Sequence, residues 1–324
     1  MRRFYFMIKK KTKLFSTAVV LTCMALLAGC GGSKGASGGG GEERVAVVLK
    51  TLSSPYWKYV EAGAKAAGKE LGVDVTVVGP NAESEVMQQI NMIEDQLNQS
   101  PGALVVSPSQ PDTVVPVLET ATVPVLLIDT DAKLKNKTSF IGTENYEAGY
   151  EGGKLLSSLL QKGDKVAIIS GALGNTATDE RVKGAKAALE EAGMVIVAEQ
   201  PADSDKTKAM SVMENILQKN NDVKGVFAAN DDMALGVLRA VEAKGLDVKV
   251  IGTDGTLEAV ESILDGKLAG TIAQNPYKMG YEGVKNALAA INGEKVDKRI
   301  NSGVEVITKD NAQEKLEFLK TISK

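Results

Sequence analysis

From residue 44 onward, short apolar runs alternate with longer segments whose apolar positions recur every three to four residues. Runs rich in Val and Ile that are separated by amphipathic segments are typical of strands joined by helices, and therefore of a parallel sheet covered on both faces. The runs predicted as strands are 45–49, 73–78, 103–106, 123–128, 165–169, 194–197, 225–228, 248–251 and 271–273. The helices predicted between them are 56–71, 84–98, 146–160, 180–192, 206–219, 233–244, 257–264 and 277–291.

This alternation covers about four units, pauses at 139–145 and then resumes. The repeat predicts an α/β protein with two similar doubly wound lobes, each built on a parallel sheet. A single closed barrel of eight strands and eight helices is the alternative, because the length of 324 residues does not exclude it.

The N-terminus has the pattern of a targeting segment. Residues 1–29 contain six basic side chains and no acidic one, and residues 14–27 are uncharged and largely apolar. A basic segment, an apolar segment and small residues at its end predict a secretory signal peptide over 1–29. Residues 27–30, Leu-Ala-Gly-Cys, resemble the bacterial lipobox, which implies cleavage before Cys30 and acyl chains on the new N-terminal cysteine. An uncleaved membrane anchor is the alternative, although so short an apolar stretch rarely spans a bilayer.

Residues 30–41 are predicted to form a lipid-anchored tether. Seven of residues 31–41 are glycine, a composition typical of flexible linkers. We therefore expect an extracytoplasmic protein that is held at the cell membrane by the lipid on Cys30, with a folded body that begins at residue 42.

Composition excludes several kinds of site. The chain has no histidine, which rules out Ser-His or Cys-His catalytic pairs, His-containing zinc sites and a histidine pH switch. The only cysteines are Cys23 and Cys30, so neither a disulfide framework nor a four-cysteine metal site is possible. Residues 30–324 carry 32 basic and 41 acidic side chains, which argues against nucleic-acid binding. We expect no cofactor and no metal.

Polar residues follow several of the predicted strands. In open α/β sheets, ligands bind beyond the carboxyl ends of the strands, so these residues are candidates for a cleft that takes a small polar ligand. The same residues could instead cap the following helices. We interpret Asp231 as such a cap, because Asn230 and Asp231 open a predicted helix and one of them must cap it. Trp57, the only tryptophan, starts the first helix, which favours a stacking surface over a packing anchor.

Five motifs resemble the periplasmic sugar-binding proteins of ABC transporters (type I solute-binding proteins), in particular the D-allose- and ribose-binding members. They are VVLKTLSSPYW (47–57), QPAD (200–203), VFAANDDMALG (226–236), VIGTDG (250–255) and TIAQNP (271–276), and the resemblance spans about 44–308. It implies two lobes joined by three hinge strands, a monosaccharide in the cleft between them, and delivery to the membrane subunits of an ABC permease. The implied lobes are 42–143 with 276–301, and 144–275 with 302–324.

The resemblance also places ten residues at ligand-binding positions: Lys50, Ser54, Tyr56, Trp57, Asp129, Arg181, Ser204, Asn230, Asp254 and Gln274. Three positions depart from the family pattern. Ser54 stands where relatives have Asn, Thr130 where the ribose-type protein has Arg, and Ser204 where relatives have Phe or Trp. Serine at 204 predicts a wider pocket for a larger or more substituted ligand, unless another side chain fills the space.

The charges of these candidates favour a neutral ligand. Lys50 and Arg181 balance Asp129 and Asp254, and all four can bond to the hydroxyls of a neutral polyol. A cyclitol, an autoinducer-2-like furanosyl ligand or a role as sensory co-receptor remain alternatives to a monosaccharide delivered for import.

Two other classes of protein, aspartyl-nucleophile phosphatases and sugar-responsive repressors, share parts of this sequence. The sequence VLLIDTD (125–131) resembles aspartyl-nucleophile phosphatases, but Ala132 and Lys133 follow where those enzymes have a small residue and then Thr or Val. Sugar-responsive repressors share the ligand-binding body, but they carry a helix-turn-helix domain where this chain has the signal and tether. We therefore expect a monomeric binding protein, neither an enzyme nor a DNA-binding protein.

Overall fold

Two six-stranded sheets organise the protein in this computed structural model, which describes residues 44–322. The predicted signal peptide, Cys30 and the glycine-rich tether lie outside the described residues. The strands are β1 (Arg44–Val48), β2 (Asp74–Val78), β3 (Ala103–Val106), β4 (Val125–Ile128), β5 (Ser139–Gly142), β6 (Lys165–Ser170), β7 (Val195–Pro201), β8 (Gly225–Ala228), β9 (Lys249–Asp254), β10 (Gly270–Ala273), β11 (Arg299–Asn301) and β12 (Glu305–Ile307). The helices are α1 (Pro55–Leu71), α2 (Val86–Asn98), α3 (Pro111–Leu118), α4 (Asn145–Ser158), α5 (Thr176–Glu191), α6 (Lys206–Lys219), α7 (Asp231–Ala243), α8 (Leu257–Leu264), α9 (Pro276–Ile291) and α10 (Ala312–Ile322).

The two sheets share one strand order. The first runs β11-β5-β4-β3-β1-β2 and is parallel throughout, and the second runs β12-β10-β9-β8-β6-β7. The second sheet is parallel except for its edge strand β12, which pairs antiparallel with β10. Two open sheets of matching order confirm the prediction of two doubly wound lobes, and the closed-barrel alternative is wrong.

Both faces of each sheet are buried, which explains why the strands are continuous apolar runs. In β1, Val45 and Val47 belong to a cluster with α1 and α9, whereas Ala46 and Val48 point into a second cluster with α2 and α3. All four side chains are fully buried. A strand of an α/β protein needs apolar residues at every position for this reason, whereas a half-exposed strand would show alternation.

The chain crosses between the sheets three times, and each crossing is short. The connections are residues 143–144 after β5, 274–275 after β10 and 302–304 after β11. The hydroxyls of Thr143 and Ser302 lie 3.2 Å apart, so two of these connections contact each other. Three adjacent crossings form the predicted hinge, although the lobe limits given above stay a prediction.

Glycines let helix pairs on both sheets approach closely. A Cβ atom on Gly63 of α1 would lie 2.0 Å from the carbonyl oxygen of Tyr277 on α9, and one on Gly149 of α4 would lie 1.9 Å from that of Arg181 on α5. Any other residue at these positions would force the helices apart. The helices that leave the hinge, α4 and α9, are thereby held tightly against α5 and α1.

Some elements were missed in the sequence. The pause at 139–145 contains β5, which is only four residues long and flanked by polar residues. Helix α3 (Pro111–Leu118) is only eight residues long and contains Pro116, and a proline inside a helical pattern usually indicates a break. Strands β11 and β12 are three residues each, half-exposed at the sheet edges, and so lack an apolar run.

At the C-terminal end of the described chain, α10 was also missed, since polar and charged residues outnumber its apolar ones. Helix α5 begins at Thr176 rather than at 180, because its first turn is polar. In residues 44–322, no helix is both long enough and apolar enough to cross a membrane.

Candidate functional site

One cavity lies beyond the carboxyl ends of the strands, between the two sheets, and all ten predicted residues line it. Its walls also include Glu83, Asn175, Ala177 and Thr178, which the sequence analysis did not single out. The cavity volume is only about 20 Å³, which is room for little more than one water molecule. The side chains of the two lobes therefore nearly fill the cleft, and a sugar needs the walls to move apart before it can enter.

The first lobe contributes a buried ion pair. Lys50 follows β1, and its Nζ lies 2.9 Å from Oδ2 of Asp129, which follows β4; both side chains are 3% exposed. Asp129 also accepts hydrogen bonds from the hydroxyls of Tyr56 (2.9 Å) and Thr130 (2.8 Å). Burial alone would raise the pKa of Asp129, but the positive charges of Lys50 and Arg181 and the hydrogen bonds bring it below its usual value. Asp129 is therefore a fixed, ionised acceptor.

The second lobe contributes a similar pair. The Arg181 guanidinium on α5 lies 3.3 Å from Oδ1 of Asp254 at the end of β9. The same oxygen accepts a 2.7 Å hydrogen bond from the side-chain amide of Gln274, which follows β10. Burial raises the pKa of Asp254 well above its usual value, although Arg181 opposes the shift. The amide oxygen of Gln274 is buried without a partner in the described chain, so it is free to accept from a ligand.

The two carboxylates occupy equivalent positions in the two lobes. Asp129 follows β4 and Asp254 ends β9, and these strands have the same place in their sheets. Both residues have positive φ, 61° and 133°, a region that non-glycine residues rarely adopt. Backbone strain of this kind is concentrated at functional sites, where the surrounding structure holds it in place.

An aromatic pair covers one wall of the cavity. The rings of Tyr56 and Trp57 meet edge to face at 5.0 Å, and Lys50 Nζ lies 5.5 Å from the centre of the Trp57 ring. Trp57 is only 2% exposed and its Nε1 donates to Glu83 at 2.9 Å. Trp57 therefore packs in the core of the first lobe and lines the cavity as well, so the two interpretations of this residue do not exclude each other.

Asn230, and not Asp231, caps α7. The Asn230 side chain accepts from the backbone N–H of Met233 at 2.8 Å, while Asp231 is fully buried behind the cavity. Asp231 accepts from the hydroxyl of Thr271 (2.6 Å) and from the backbone N–H of Thr256 (2.8 Å). The interpretation of Asp231 as a cap is wrong, because Asp231 instead ties α7 to β10 and to the start of α8.

Several polar contacts join the lobes across the cleft. The Ser54 hydroxyl donates to Asp232 at 2.8 Å, and Lys50 donates to the side-chain oxygen of Asn175 at 3.3 Å. The Asn175 amide donates to Glu83 at 3.4 Å. Ser54, which departs from the family pattern, thus contacts the opposite lobe directly.

Asn175 and Glu83, which were not predicted as site residues, also lie in connections that follow strands. Asn175 caps α5, accepting from the backbone N–H groups of Ala177 and Thr178, and so lies at a strand-to-helix connection. Glu83 lies in the connection between β2 and α2, which carries no motif of the resemblance. Applying the strand-end rule to β2 would have pointed to this connection, but Asn81 precedes Glu83 in it, so the rule alone does not single out Glu83. In residues 44–322, no group of three or more Asp, Glu, Cys or His residues is arranged to hold a metal ion.

Comparison with known proteins agrees with this geometry. Residues 45–295 match the sequence model of the periplasmic binding protein domain. The chain belongs to this family. The ribose import binding protein RbsB of Haemophilus influenzae is 33% identical over 287 residues, which cover 88% of this chain and 97% of that protein. The D-allose-binding periplasmic protein of Escherichia coli is 36% identical over 265 residues, which cover 78% and 85% of the two chains.

A solved structure shows the same fold. The carbohydrate transporter solute-binding protein of Agrobacterium radiobacter, in complex with D-arabinose, superposes with a TM-score of 0.81 at 33% identity, and the match covers 86% of this chain and 98% of that one. This periplasmic binding protein therefore has the type I fold. The names of these three relatives describe proteins that bind ribose, D-allose or another carbohydrate, and two of the names refer to import or transport.

Proposed function

We propose that this periplasmic binding protein captures a neutral monosaccharide in the interlobe cavity and delivers it to an ABC-type permease. The observation that carries the proposal is the convergence of two internally neutral ion pairs, Lys50–Asp129 and Arg181–Asp254, on one cavity. Each carboxylate and each cation can bond to hydroxyls, while the pairs leave little net charge to attract an ion. The sugar names of the relatives support the same class of ligand.

Glu83 adds a third carboxylate to the wall but does not overturn this proposal. Burial raises the pKa of Glu83, although the charge of Lys50 opposes the shift. The oxygens of Glu83 can accept hydrogen bonds from the hydroxyls of an uncharged ligand, so this third acidic group does not require a charged one.

Closure of the lobes is part of the proposal. The lobes 42–143 with 276–301 and 144–275 with 302–324 would rotate about the three short connections, and a ligand that contacts both lobes would favour the closed state. The protein would act outside the cytoplasm, as a monomer, held at the membrane by the lipid on Cys30.

The ligand can be identified directly. Mass spectrometry of small molecules released from the purified, denatured protein should find a monosaccharide, and a thermal-shift panel of sugars should raise the melting temperature with the same compound. Release of a charged or non-carbohydrate ligand, together with no response to any sugar, would refute the proposal.

A further inference from the structure

The cavity has two distinct ends along the sheets. Gln274 lies in the hinge connection after β10, whereas Glu83 follows β2 and Ser204 follows β7. Since β2 and β7 are the outer edge strands of the two sheets, Glu83 and Ser204 come from equivalent connections on opposite lobes. The ion pairs lie between these ends. A sugar ring that bonds to both pairs would therefore direct one substituent toward Glu83 and Ser204.

The Ser204 hydroxyl has no partner. Its Oγ is buried and forms no hydrogen bond in the described chain. It lies close enough to Glu83 to affect the pKa of that carboxyl, yet the two groups do not reach hydrogen-bond geometry. The backbone of Asp203 and Ser204 has φ values of 51° and 58°, so the connection holds Ser204 in a left-handed conformation that serine seldom adopts. A buried hydroxyl without a partner, held in place by a strained backbone, indicates a ligand contact.

The Glu83 carboxyl has unused capacity to accept hydrogen bonds. Oε1 takes the Trp57 Nε1–H at 2.9 Å, and Oε2 takes only a long contact of 3.4 Å from Asn175. A carboxylate can accept about four hydrogen bonds. Within residues 44–322, Glu83 also forms no salt bridge, whereas Asp129 and Asp254 are each paired with a cation.

We propose, building on the proposed function, that Glu83 and Ser204 form a subsite for the exocyclic hydroxymethyl group of a hexopyranose. The terminal hydroxyl of the sugar donates to Glu83 and accepts from the Ser204 hydroxyl. A hydroxyl fits this pair because it can do both at once, whereas an ammonium group could only donate. The protein therefore distinguishes a hexose from the pentose of the same ring configuration.

Matched sugars test this subsite. D-galactose, D-fucose and L-arabinose share one ring configuration, but D-fucose lacks the terminal hydroxyl and L-arabinose lacks the whole exocyclic group. D-allose and D-ribose form a second such pair. In whichever series the protein binds, calorimetric titration of the full-length protein should show that the hexose binds roughly 10- to 100-fold more tightly than the pentose. This difference is expected for one hydrogen bond to a charged group. D-fucose should resemble L-arabinose.

Substitutions of Glu83 and Ser204 test whether these two side chains cause the preference for a hexose over a pentose. Glu83→Gln and Ser204→Ala should each lower the affinity for the hexose to near that for its deoxy or pentose partner, while the affinity for those partners changes by less than about threefold. Glu94→Gln, at an exposed position on α2 outside the cavity, serves as the matched control and should leave all affinities unchanged.

Three results would overturn the inference. If wild-type protein binds hexose and pentose equally, the subsite does not exist, although the proposed function survives. If Glu83→Gln weakens the binding of D-galactose, D-fucose and L-arabinose by the same factor, Glu83 acts only by positioning Trp57. If none of the five sugars binds and the released ligand is not a carbohydrate, the proposed function fails and the subsite fails with it.

Discussion

Replacing Asp254 with alanine should weaken sugar binding more than it weakens folding. The carboxylate holds two buried donors, since Arg181 lies 3.3 Å and Gln274 2.7 Å from its Oδ1. Asp254 itself is 7% exposed, so water cannot replace it in a closed cleft. Truncating one member of a buried, charged hydrogen-bond network costs about 2–5 kcal/mol of binding free energy, which is roughly a 30- to 5000-fold loss of affinity.

The Asp254→Asn variant separates charge from shape. Asparagine keeps an oxygen for the Gln274 amide but leaves the Arg181 guanidinium without its counter-charge, so we expect an affinity between those of the wild type and the alanine variant. The raised pKa of Asp254 means that its ionised form is costly in the free protein, which should limit the stability lost on substitution.

Isothermal titration calorimetry with the sugar that wild-type protein binds most tightly measures this loss, and urea unfolding without ligand measures stability. Asp265→Ala, at an exposed acid after α8, is the control and should behave as wild type. A near-normal affinity for Asp254→Ala would remove Asp254 from the ligand-binding network and would refute the equivalence drawn between Asp129 and Asp254.

Three further predictions concern stability, closure and attachment. Burial raises the pKa of Asp231 to about 6 in the folded protein, so the folded state binds a proton at this side chain more tightly than the unfolded state does. The resulting contribution to stability is fully present below pH 3.8 and is lost as the pH rises through 6. Relative to Asp231→Asn, wild-type protein should therefore lose about 3 kcal/mol of unfolding free energy between pH 3 and 7, and a constant difference would contradict this. Saturating sugar should change the emission of Trp57, the only tryptophan, and reduce the radius of gyration in solution scattering; an unchanged scattering profile would count against hinge closure. Wild-type protein should partition into detergent and Cys30→Ala should not, whereas a variant that stays tightly membrane-bound would favour the uncleaved anchor.

The sequence predicted the main strands because both faces of each sheet are buried. Residues such as Val45 to Val48 are apolar without interruption for that physical reason, and the pattern is local. The short edge strands β11 and β12 carry no such signal, since their pairing depends on a neighbour far away in the sequence.

The cavity residues were predicted by the same rule and by resemblance, but their partners were not. Nothing near Lys50 in the sequence indicates that Asp129 lies 2.9 Å away, and nothing near Glu83 indicates Ser204. The choice between Asn230 and Asp231 as the helix cap also depended on Thr271, which only the fold brings close. Contacts between residues distant in sequence require the folded structure.

The glycine contacts between helices have a consequence for how ligand preference can evolve. Gly63 and Gly149 leave no room for even a methyl group, so selection must preserve them as long as the lobes move as rigid bodies. Ser54 and Ser204 sit at the cavity wall, where a new side chain meets the ligand or the cleft before it meets the helix pairs. Under the proposed function, substitutions at the cavity wall can thus change which sugar is captured while the helix packing inside each lobe stays the same.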